Sequence, residues 1–176
     1  MNVRQYIEEN FEKMMIYDIK PEEIVFEERV KLKCFYCNRY NQKWTCPPKI
    51  PKVDYEKIIK KEYSNAIILE YKLPIVNNNF EEIRIRTTNY LHKSMLKVEK
   101  YLYEKNCTLA TSFIGGSCKL CKNCNPEYCN NPLMARIPME ATGINVIRTM
   151  KKLGVEIKFP ITDSLSRYGL LLWEEE

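Results

Sequence analysis

The sequence predicts an α/β fold, with residues 1–176 forming a single domain that has a small mixed sheet, flanking helices and two cysteine-rich metal-binding loops. Three observations carry that expectation. An apolar run over residues 66–73 (AIILEYKL), a long helical periodicity over 80–105 and a second run over 107–114 (CTLATSFI) give strand, helix and strand, the order of a βαβ crossover. Seven of the eight cysteines fall in two tight groups, within about 34–48 and 116–132. The 176 residues are 45% hydrophobic and 29% charged, an ordinary composition for one domain whose core needs no disulfide staples.

The elements follow in order. Residues 2–15 read as a helix with Val3, Tyr6, Ile7 and Met14 on one face. Residues 24–30 (IVFEERV) have β character. The CPP and IP breakers make residues 34–51 a loop, and Asp54 is placed to start a short helix through Ile59. The strand over 66–73 stops at Pro74, and Asn77, Asn78 and Asn79 make a turn. In the helix over 80–105, Ile83, Tyr90, Leu91, Met95, Val98 and Leu102 recur at steps of three and four. The run over 107–114 is closed by Gly115 and Gly116. Residues 139–153 form an amphipathic helix, with Pro138 as its first residue, Glu140 in the first turn and Gly154 as its stop. Gly143 inside that helix costs about 1 kcal/mol against alanine, which close packing against a cysteine loop or a neutral surface position would explain. Residues 167–173 (RYGLLLW) read as a last strand.

Net charge is +5, but from Arg29 to Lys52 there are seven basic residues and no acidic one. Residues 105–126 are also free of acid. Both stretches contain a cysteine group, and cations there would offset the charge of bound thiolates. A solvated basic face or a nucleic-acid patch is the other reading. No run approaches the roughly 18 apolar residues of a membrane helix. The N-terminus shows no apolar signal core, so a cytoplasmic protein is expected, in which clustered cysteines serve metal or redox chemistry more than disulfides. Phosphate-loop, dinucleotide-binding and nucleophile-elbow motifs are missing from the sequence.

The second group is CKLCKNCNPEYC, with Cys118, Cys121, Cys124 and Cys129 in a C-x2-C-x2-C-x4-C spacing. Three cysteines at steps of three on a tight loop aim three thiolates at one inorganic cube, close to the C-x2-C-x2-C-x3-C-P run of bacterial ferredoxins. Zinc prefers two well-separated C-x2-C pairs, so the spacing favours a [4Fe–4S] cluster, with zinc as the alternative. Cys129 either closes this set or serves a second cluster.

The first group is CFYCNRYNQKWTCPP, with Cys34, Cys37 and Cys46 as ligands of a second metal centre. A second iron–sulfur cluster, zinc, or thiols exchanging with the other loop all fit. Its fourth ligand is Cys107, Cys129 or an open position, and an open position marks catalytic sites. His92, the one histidine, reads as a surface or partly buried residue rather than a ligand. Phe35, Tyr36, Tyr40 and Trp44 interleave the basic residues and could shield a cluster, stack on bases or cover the core. Arg136 and Glu140 are candidate polar groups near the centre.

Taken together, Cys34, Cys37, Trp44, Cys46, Pro47 and Pro48, followed by Cys118, Cys121, Cys124, Cys129, Pro132, Met139, Glu140, Ala141, Gly143 and Val146, resemble the "predicted metal-binding protein" family of small cysteine-rich proteins from anaerobic bacteria and archaea. The likeness runs from about residue 30 to 150. It implies metal binding, of iron–sulfur type, in an oxygen-poor cytoplasm, and Cys107 lies outside its pattern. The function expected is one-electron transfer to a redox partner protein. The alternatives are an enzyme with a three-thiolate cluster that takes a small-molecule substrate in sulfur transfer or reductive chemistry, and a zinc-stabilised nucleic-acid-binding module. No membrane partner is expected.

Overall fold

A computed structural model describes residues 2–76 and 79–175; the turn expected at Asn77 and Asn78 lies outside the described residues. Two ten-residue strands form the centre of the sheet. β2 (Asn65–Pro74) and β4 (Ser164–Trp173) run antiparallel along their full length, with Asn65 opposite Trp173 and Pro74 opposite Ser164. β1 (Met14–Ile19) lies on the outer side of β2, and β3 (Thr111–Phe113) on the outer side of β4. The order is β1-β2-β4-β3 and every pairing is antiparallel.

The crossover predicted from sequence is present in split form. α4 (Phe80–Tyr103) leads from β2 towards β3, and both strands run opposite to β4 and therefore parallel to each other. They do not pair, because β4 is seated between them. The mixed sheet expected from adjacent parallel strands is thus antiparallel throughout. The physical reason is burial. The Leu170-Leu171-Leu172-Trp173 run is apolar on both faces, which suits a central strand covered on both sides.

Alternation along these strands feeds two cores. Ile67, Leu69, Leu171 and Trp173 pack under α1 (Val3–Asn10) and α4, against Ile7, Leu91, Met95, Val98 and Leu102. Ala66, Ile68, Leu170 and Leu172 face the other way, against Ile59 of α3 (Tyr55–Glu62), Met139, Ile144 and Met150 of α5 (Val146–Lys152). Buried Glu70 on β2 accepts hydrogen bonds from Tyr17 on β1 (2.6 Å) and from Ser166 and Tyr168 on β4, so a carboxylate within the sheet is satisfied by three side chains of the two neighbouring strands.

Four local expectations change. The first helix stops at Asn10, and Met14 opens β1 instead of extending the helical face. Residues 14–19 alternate, with Met14 and Ile16 on one core and Tyr17 and Ile19 on the other. IVFEERV forms no strand: Phe26 makes one bridge to Ile144, and α2 (Glu28–Phe35) follows at once. Only Thr111–Phe113 of the 107–114 run is strand, because Cys107 is still held by its backbone N–H to Leu102 O. The helix expected over 139–153 is broken by Gly143 at φ +96°. A short 3-10 turn, Met139–Thr142, precedes the break, and Asn145 caps the restart into α5 by accepting from Arg148 N. A Cβ on Gly143 would lie 3.1 Å from Lys31 Cε, so α2, which carries Cys34, is the neighbour that needs the close approach.

Candidate metal centre

The second cysteine loop leaves the sheet after Ile114 and returns at Pro138. Its base is clamped by Ile114 N–H to Ile137 O (3.0 Å) and Met139 N–H to Ile114 O (2.8 Å). Its returning arm is tied to α4. His92 Nε2 lies 2.7 Å from Met134 O, and Arg136 donates to Glu99 through Nε (2.8 Å) and Nη2. Arg136 therefore holds the strap and is not aimed at the thiols. His92 is fully buried, not the surface or partly buried residue expected, and its bond to the Met134 carbonyl fits a positioning role.

The first loop is delivered by the same region. Glu27 N–H donates to Gly143 O and Asn145 N–H to Val25 O, which fixes the chain just before α2. Cys34 then sits in the last turn of α2, Cys37 N–H donates to Cys34 O, and Cys46 N–H to Lys43 O. Trp44 joins the two loops: its Nε1–H donates to Asn125 O at 2.8 Å, and Lys49 Nζ lies 4.4 Å above its ring. Of the four aromatics, Trp44 is thus turned to the thiols, whereas Phe35 and Tyr36 pack edge-on to each other at the surface.

Cys118, Cys121, Cys124 and Cys129 line one small cavity with Lys43, Trp44, Thr45, Asn130 and Asn131. Asn131 Nδ2 donates to Cys121 Sγ at 3.0 Å, the kind of outer hydrogen bond that orients a sulfur ligand. Cys34, Cys37 and Cys46 lie within electrostatic range of one another, and Cys46 within range of Cys118. None of the eight cysteines is in a disulfide. Cys107 is buried in the core under α4 and lines a separate groove with Lys97, Tyr103 and Met134, away from both sets. Glu140 lies near Cys34, a carboxylate within reach of the three-thiol set, and accepts from Gly116 N–H at 3.3 Å.

Burial pushes the thiols of Cys34 and Cys118 up, and that of Cys46 up to about 11, with neighbouring thiolates adding to the shift. Lys43, buried beside the cavity, acts the other way on Cys118. A thiolate here therefore requires a cation to bind it. Among the described residues no three His, Cys, Asp or Glu side chains are yet drawn into a set that could hold a metal ion. The donor chemistry fits a thiophilic metal: four soft sulfur donors on one cavity, an outer N–H donor, and an aromatic lid.

The family described as "Predicted metal-binding protein (DUF2284)" matches residues 17–173, from within β1 to the last residue of β4. The chain belongs to this family. Membership covers both cysteine loops and the whole sheet but for the first residues of β1. Neither the curated proteins nor the solved structures give a match. Among the described residues no helix is long and apolar enough to cross a membrane.

Two features escaped the sequence reading. The loop-to-loop bond of Trp44 had no signal beyond a tryptophan between cysteines. Lys119 lies within electrostatic range of Arg39, Arg84 and Arg167, cations from three other segments, and only Arg39 and Lys119 stand near cysteines in the sequence. Lys119 is held down to about 8, chiefly by burial and then by repulsion from Arg167, Arg84 and Arg39.

Proposed function

We propose that this chain is a cytoplasmic iron–sulfur protein of one-electron chemistry, with Cys118, Cys121, Cys124 and Cys129 holding a [4Fe–4S] cluster and Cys34, Cys37 and Cys46 holding a second metal centre. The observation that supports it best is the convergence of the four thiols of the C-x2-C-x2-C-x4-C loop on one cavity. Cys129 lines that cavity with its own loop, which favours local ligation over donation to the first set. A bound cluster would supply reversible one-electron transfer. The chain's part is to exclude water with Trp44, to orient Cys121 through Asn131, and to offset thiolate charge with Lys43.

A second reading rests on the three-thiol set. Cys107 is placed elsewhere, so a metal on Cys34, Cys37 and Cys46 would keep a position for Glu140 or for substrate. Anaerobic purification with iron, sulfide and zinc analysis tests the main reading. The expected result is a brown protein with about four iron and four sulfide per chain or more, bleached by dithionite. A colourless protein with stoichiometric zinc overturns it.

A further inference from the structure

Beside the thiols, where the second loop leaves β3, Lys119 of the second loop and Arg167 of β4 meet at Gly116, with Arg84 of α4 and Arg39 of the first loop within electrostatic range of Lys119. Gly116, at φ +70°, faces Lys119 and Arg167. A Cβ there would be 3.5 Å from Arg167 Nη1 and 3.8 Å from Lys119 Nζ. Among the described residues Arg39, Lys119 and Arg167 make no ion pair, and only Arg84 is paired, to Glu81. Arg167 Nε is buried without a hydrogen-bond partner. Lys119 Nζ has one acceptor, the Ser117 carbonyl at 2.8 Å.

Half-buried like charges gathered about Lys119 are unfavourable unless an anion joins them. Two carboxylates are near: Glu81, already forked by Arg84, and Glu140, within range of Arg167. Four cations against two carboxylates leave two positive charges. Guanidinium forks with free N–H groups suit a tetrahedral oxyanion, which takes several charge-assisted hydrogen bonds at once.

We propose that Arg39, Arg84, Lys119 and Arg167 form a binding site for a tetrahedral oxyanion, as inorganic phosphate or as the phosphate group of a small ligand. The glycine leaves the site open where a side chain would fill it. Its position next to Cys118 and near Glu140 places an anionic ligand against the thiol loops, so the same cleft would present the rest of that ligand to the metal centre. The site does not depend on which metal the loops hold.

The test is calorimetric titration of the full chain as purified anaerobically, with metal content measured in parallel. The probes are inorganic phosphate, glycerol phosphate, and acetate as control, at constant ionic strength. Phosphate is expected to bind with Kd below about 1 mM. Arg167→Gln, and Arg84→Gln on the more accessible helix, are expected to weaken binding at least about tenfold with unchanged metal content. Tighter binding of glycerol phosphate than of phosphate marks a ligand-borne group; the reverse marks the free ion. Three outcomes overturn the proposal: no phosphate binding at about ten times that concentration, equal binding of acetate, or variants that lose metal but keep phosphate affinity, which would make the cations counter-charges of the centre alone. Phosphate binding by an iron-free protein would leave this site standing while sinking the iron–sulfur reading.

Discussion

Replacing Trp44 by Phe removes one hydrogen bond and leaves an aromatic ring beneath Lys49. The bond runs from Nε1–H to Asn125 O at 2.8 Å and is the direct polar link between the two cysteine loops. A partly buried bond of this kind is worth about 1 kcal/mol net, and the Asn125 carbonyl is left to find water. If the link holds the loops in register for metal, that energy is taken from the metal-loaded state, and about 1 kcal/mol is about fivefold in an equilibrium constant. The assay is competition with a chelator under anaerobic conditions, followed by metal analysis, beside denaturant unfolding of the metal-free protein. The variant is expected to release metal at a chelator concentration about fivefold lower than wild type, with cooperative unfolding retained. A release midpoint equal to that of wild type would refute the linking role of Trp44.

Asn131→Ala deletes the N–H···S bond to Cys121 (3.0 Å) and should weaken metal retention by about tenfold or more, read by the same competition. Gly115→Ala places a Cβ 2.3 Å from the Tyr168 carbonyl oxygen, a backbone atom of the central strand, and should cost about 3 kcal/mol or prevent folding, read by circular dichroism and denaturant midpoint. The metal-free protein should lose stability in alkali. The Cys46 thiol is raised by burial from 9.0 to about 11, so its contribution is whole below 9.0 and is lost as pH rises through about 11. At about 1.4 kcal/mol per pKa unit the loss is at most about 3 kcal/mol, checked by unfolding across that range. Metal affinity should move oppositely, rising with pH as the competing proton leaves, which a metal titration at several pH values checks.

What could be read from the chain divides by range. α4 and β2 were legible because each carries a strong local period, and Asp54, Pro74 and Gly154 stand where the caps and stops fall. The cysteine spacings grouped the candidate ligands, and Trp44 lay inside one group. β1 was hidden because Met14 also fits the three- and four-residue step of the preceding helix; only pairing with β2 reveals its alternation. The central place of β4 depends on a register with residues about a hundred positions away, which no window along the sequence contains. For the same reason nothing in the sequence marks Arg84 and Arg167 as neighbours of Lys119; the sheet and α4 bring them within its electrostatic range. Gly143 left close packing against a cysteine loop and a neutral surface glycine both open in the sequence; its neighbour is Lys31 of α2, and its positive φ splits the expected helix.

The seating of β4 between β2 and β3 also orders events in time. During synthesis both thiol-bearing segments emerge from the ribosome before the strand that zips the sheet together, so their scaffold is incomplete while they are first exposed. A metal centre held by both loops would gain its complete frame only after β4 joins the sheet, and a nascent chain stalled ahead of Ser164 would offer sulfur ligands with no finished frame to hold them.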